Sequence, residues 1–109
     1  MTTIKIFKQK GKTKGFECSG HTGFGVQGQD VLCSAISTLV GSCHLGLSKV
    51  LGVATDFQID EENGYFALSI EDDALENQSA QLLFEVFIES VKDLAFDYQK
   101  FIKLKVIGG

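Results

Sequence analysis

The side chains here whose chemistry combines most readily are a thiol and an imidazole. The sequence holds few of either: three Cys and two His in 109 residues. Asp30 stands directly before an apolar run at helical spacing, and Cys33 lies one turn into that run. An Asp in that place accepts a hydrogen bond from an unpaired first-turn N–H. Asp30 therefore reads as a helix N-cap and Cys33 as the third helical residue. Unpaired N–H groups and the helix dipole favour negative charge in a first turn. A thiol placed there is biased towards thiolate, the nucleophilic form. The plain alternative is a small apolar residue on a helix.

A cysteine nucleophile needs a base within hydrogen-bond reach. His44 lies on the same helix, and at about 1.5 Å rise per residue it is roughly 16 Å from Cys33. It cannot pair with Cys33 while the helix is intact, and reads as a surface or half-buried residue. His21 follows a strand end, and a loop returns the chain from it to the helix start. The two can meet at one edge of a sheet, and from the residues alone both pairing and accident stand open.

The loop over 20–29 carries Gly20, Gly23, Gly25 and Gly28 around Phe24. Such a loop can cradle a phosphate at a helix N-terminus. It lacks the Gly-Lys-Ser/Thr ending of a P-loop and a strand-Gly-x-Gly-x-x-Gly-helix context. A mobile loop that folds over an extended substrate is the better reading. Ser37, one turn after Cys33, either supports the thiol or back-bonds to the helix. Cys18, His21, Cys33, Cys43 and His44 contain no C-x-x-C and no H-x-x-x-H pair, so no metal site is expected. Cys18 on a strand and Cys43 on the apolar helix stripe read as packing residues.

Those residues need elements to hold them. Residues 3–8 and 15–19 alternate and read as a hairpin joined by a polar turn over 9–14. A long helix follows from Asp30, with Leu32, Ala35, Ile36, Leu39, Val40, Cys43, Leu47 and Val50 at helical spacing; Gly41 and Gly46 weaken it, with fraying or a bend expected after Ser42. Residues 56–60 and 65–70 alternate around Asn63-Gly64, a strong hairpin signal. Residues 78–96 return to helical spacing, and 101–107 alternate as a last strand. The expected fold is α+β: a small, mainly antiparallel sheet with two helices, in the order strand-strand-helix-strand-strand-helix-strand. Strand order stays open.

The length suits one domain over 1–109, and 44% hydrophobic residues fill a compact core. Nine Phe and no Trp make Phe and the aliphatics its substance. A net charge of −4 argues against direct nucleic-acid binding. An odd cysteine count leaves no closed disulfide framework, and reduced thiols in the cytoplasm are expected. No stretch is expected to approach the length and apolarity needed to span a bilayer.

The stretch Gly20-His21-Thr22-Gly23-Phe24-Gly25, followed by Gly28-Gln29-Asp30-Val31-Leu32-Cys33-Ser34-Ala35-Ile36-Ser37, resembles the ribosomal-processing cysteine protease family, Prp. Its His, Asp, Cys and Ser match in spacing, and the chain length and element order fit throughout. The resemblance implies a His–Cys dyad at His21 and Cys33. It implies removal of a short N-terminal extension, ending in a Phe-containing apolar segment, from bacterial large-subunit ribosomal protein twenty-seven. It also implies a homodimer that needs no cofactor. Thr22 and Ser34 stand where Ala is more usual, and Phe24 where Tyr is frequent, which leaves substrate preference open. Gly20, Gly23, Phe24, Gly28, Asp30 and Ser37 are the expected supporting or substrate-binding residues. The competing readings are a non-enzymatic ribosome-associated module that binds peptide or RNA, and a thiol hydrolase of small esters. The second helix carries Leu82, Val86 and Ile88 partly off its main stripe, and a dimer contact and burial within the fold both remain open for them.

Overall fold

The first hairpin turns more tightly than its polar residues suggest. In a computed structural model describing residues 1–20 and 31–109, strand β1 runs Thr2–Gln9 and β2 runs Lys12–Ser19. Only Lys10 and Gly11 join them, both at positive φ (53° and 75°). Two consecutive positive φ values match the right-handed twist of a two-residue hairpin, so the strands extend into the stretch expected as a turn. Thr13 is buried on β2. Its backbone N–H donates to Gln81 Oε1 at 2.8 Å, and its carbonyl accepts from Gln81 Nε2 at 2.9 Å. A polar segment is thereby satisfied inside the fold.

Helix α1 spans Val31–Leu45 and buries Leu32, Ile36, Val40 and Cys43. It runs past Ser42 to Leu45 without fraying and continues into a π-helical turn, Gly46–Val50, that buries Leu47. The 20-residue run Val31–Val50 is long and apolar enough, by length and composition, to cross a membrane, reaching a mean hydropathy of 1.5. This corrects the expectation that no stretch is. Here its inward face lies on the sheet.

Strands β3 (Thr55–Asp60) and β4 (Tyr65–Ile70) form the second hairpin. Asp60 closes its turn by accepting from the Asn63 N–H at 3.3 Å and from Asn63 Nδ2 at 2.7 Å. Helix α2 spans Gln78–Asp97 and starts at Asn77, whose side chain accepts from the Ala80 N–H at 3.0 Å. That cap has the role expected of Asx residues. Its buried residues Ala80, Phe84, Phe87, Ile88 and Val91 face the sheet, where Phe16 stacks on Phe87 at 3.9 Å. Ile88 is 8% exposed and so does not belong to an outer patch, whereas Leu82 and Val86 are exposed.

Strand β5 (Ile102–Gly108) returns parallel to β1, and every other pairing among the described residues is antiparallel. The sheet order is β3-β4-β2-β1-β5. The expected α+β class and element order are those observed. Both helices cover one sheet face, burying Ile4, Ile6, Phe16, Cys18, Leu68, Ile70 and Ile102 beneath them.

Candidate active site

Strand pairing brings distant residues to one end of the sheet. Thr3 opposes Ser19, Ser19 opposes Tyr65, and Tyr65 opposes Asp60. One residue inward, on the helix-facing side, runs the row Ile4–Cys18–Phe66–Ile59. Along it Ile4 and Cys18 are buried, Phe66 is half-buried and Ile59 is exposed. The helix layer thus stops short of the β3–β4 hairpin. A cleft of about 200 Å³ lies there, lined by Cys33, Ser34, Ile36 and Ser37 of α1, and by Cys18, Gly20, Thr2, Phe66, Gly64 and Glu61 of the sheet end.

Cys33 lies near the start of the described part of α1, and it is half-buried on the cleft wall. The other two cysteines differ in kind. Cys18 is 1% exposed and Cys43 is 5% exposed. Burial pushes each thiol up to about 12, with Glu17 adding to the effect at Cys18. Both stay protonated and unreactive near neutrality. None of the three forms a disulfide. Cys18 packs in the core as expected, and it also forms part of the cleft floor.

Gly20 follows β2 at a φ of +89°, and a Cβ there would stand 2.7 Å from the Met1 carbonyl oxygen. Its own carbonyl accepts from Thr2 Oγ1 at 3.0 Å. Only glycine fits at this exit from β2. Ser37 Oγ donates to the Ser34 carbonyl at 3.2 Å, which is the back-bonding alternative, although Ser37 still faces the cleft. His44 is half-buried with its ring stacked on Phe57 at 4.1 Å, which gives it a packing role away from the cleft.

The structure therefore brings Gly20, Cys33 and Ser37 together. The expected residues His21, Gly23, Phe24, Gly28 and Asp30, and with them the dyad, the cap and the loop over substrate, lie outside the described residues. Sequence reasoning missed Thr2, Glu61, Gly64 and Phe66. The Asn-Gly hairpin signal located the turn, but nothing in it placed the turn beside α1. Among the described residues no group of His, Cys, Asp and Glu could hold a metal ion.

A protein-family model described as cysteine protease Prp matches residues 1–103. The chain belongs to the cysteine protease Prp family. It is 31% identical over 99 residues to the ribosomal processing cysteine protease Prp of Bacillus subtilis (strain 168), covering 89% of this chain and 88% of that one. The crystal structure of SMU.848 from Streptococcus mutans superposes with a TM-score of 0.85 at 28% identity, covering 98% and 94% of the two chains. The Staphylococcus aureus Prp structure with a covalently linked product peptide shares the fold, at 23% identity and a TM-score of 0.88, over 97% and 99%. Membership makes this chain a cysteine protease of a ribosomal processing family and sets aside the non-enzymatic module. A Prp protease needs a thiol that substrate can reach.

Proposed function

We propose that the chain, acting as a single domain, is an endopeptidase that removes the N-terminal extension of bacterial large-subunit ribosomal protein twenty-seven, with Cys33 as nucleophile and His21 as base. The observation that carries this reading is the contrast among the cysteines: Cys33 lies on the wall of a cleft, while Cys18 and Cys43 are buried. The apolar lining of Ile36, Cys18 and Phe66 suits an apolar side chain of an extended peptide, and Ser34 and Ser37 offer polar groups to the backbone.

In the proposed cycle His21 accepts the Cys33 proton and the thiolate sulfur attacks the scissile carbonyl carbon. First-turn N–H groups of α1, such as that of Cys33, stabilise the oxyanion. The C–N bond breaks as His21 passes the proton to the leaving amine, giving a thioester. Water, deprotonated by His21, then attacks the thioester carbonyl and releases the acid and the thiol. Gly23, Phe24 and Gly28 contact the peptide, Asp30 caps α1, and the enzyme acts as a cytoplasmic homodimer without a cofactor. The covalently linked peptide of the Staphylococcus aureus protein supports a covalent route for the family.

Mass spectrometry of the ribosomal protein, incubated with this chain, tests the proposal. The expected product is one N-terminal truncation, absent with Cys33→Ala or His21→Ala. An intact substrate with the wild-type chain, or truncation by Cys33→Ala, overturns it.

A further inference from the structure

Resting on the reading of the cleft as the substrate site, we infer that Glu61 is a specificity residue that selects a basic side chain of the peptide near the scissile bond. Glu61 is the only charged side chain among the described residues lining the cleft. It stands on the β3–β4 hairpin, across from Cys33 on α1. Its backbone is held in place, because its carbonyl accepts from the Gly64 N–H at 3.2 Å. The neighbouring Asp60 is occupied, with both carboxylate oxygens turned to Asn63. The Glu61 carboxylate makes no hydrogen bond or ion pair among the described residues.

A carboxylate so placed, at the rim of a slot whose floor is Phe66, Ile36 and Cys18, gives that slot a sign. An ammonium or guanidinium beside it gains the modest attraction of a solvent-exposed charge pair, because Glu61 is exposed. A carboxylate on the peptide at the same position meets repulsion, so the residue discriminates by both attraction and rejection. The net charge of −4 adds to the field in the same direction. The Glu61 side chain holds no other described residue in place, so its substitution should act on peptide choice alone.

The test uses peptides built on the N-terminal segment of the cognate ribosomal protein. Each of about four positions on either side of the scissile bond is changed in turn to Lys, Gln or Glu. kcat/KM is measured with the wild-type chain, Glu61→Gln and Glu61→Lys. At one position the wild type should prefer Lys over Glu by about fivefold, the scale of an exposed charge pair. Glu61→Gln should flatten that preference and Glu61→Lys should reverse it, with the change in KM, an unchanged melting temperature and attenuation by salt. The same Lys-to-Glu ratio in all three proteins, or no position that prefers Lys, overturns the inference while leaving the protease reading intact. If the wild type cleaves none of the peptides, both readings fall together.

Discussion

At the scale of the residue, this chain separates three thiols by their surroundings. Cys33 is half-buried beside a cleft, while Cys18 and Cys43 are buried, which disfavours their thiolates. Iodoacetamide at neutral pH should therefore modify Cys33 alone, and the other two only after denaturation; peptide mapping checks this. His21→Ala should slow the Cys33 reaction if the proposed dyad operates. The buried pair also makes stability depend on alkaline pH. Each folded thiol keeps its proton up to about 12, whereas in the unfolded chain it loses it from its ordinary 9.0. The unfolded state then binds fewer protons, so their contribution is whole below pH 9 and is lost as pH rises towards 12. One fully titrating thiol sets a slope of roughly 1.4 kcal/mol per pH unit. Urea midpoints measured from just below the ordinary thiol range to about two pH units above it should fall more steeply for the wild type than for Cys43→Ala. Parallel slopes would remove Cys43 from this account.

At the scale of the element, two glycines with similar φ have different consequences. Gly11 turns the first hairpin, and a Cβ added there would meet nothing within 4 Å, whereas a Cβ on Gly20 collides with the Met1 carbonyl. Gly11→Ala should cost about 1 kcal/mol in backbone strain and leave kcat/KM unchanged. Gly20→Ala should cost on the order of 1–3 kcal/mol and lower kcat/KM as well, because relief of the clash moves the strand end that borders the cleft. Denaturant unfolding together with peptide cleavage separates the two effects. Equal activity for both variants would mean that the exit from β2 does not position the site. The Asn77 cap serves as a purely structural control: Asn77→Ala should cost about 1 kcal/mol without touching cleavage.

At the scale of the whole molecule, two helices on one sheet face leave the outer side of α2 exposed. Leu82 and Val86 are 60% and 57% exposed there, between Glu85, Glu89 and Asp93. The proposed homodimer would cover this apolar strip. Light scattering at micromolar concentration should give about twice the 11.9 kDa chain mass, and Val86→Glu should return the monomer. A monomeric wild-type chain counts against the dimer; a dimer that survives Val86→Glu relocates its interface.

What the sequence determined by itself was local. Alternation and helical spacing depend on neighbours in the chain, so both hairpins, both helices and their order were legible, and so was the placing of Cys33 on the first helix. The motif around Gly20 and Cys33 carried the family for the same reason, since spacing along a loop and a helix start is written in consecutive residues. Short-range reading failed where a distant partner changed a segment. Lys12 to Lys14 looked like turn residues until Gln81 satisfied the backbone of Thr13. Tertiary structure alone decided the order β3-β4-β2-β1-β5 and the parallel pairing of β5 with β1. It also decided that Thr2, Glu61 and Phe66 share a cleft with Cys33. Those neighbours are set by how two layers bury their apolar faces together, a balance of contacts between residues far apart in the chain that no periodicity records.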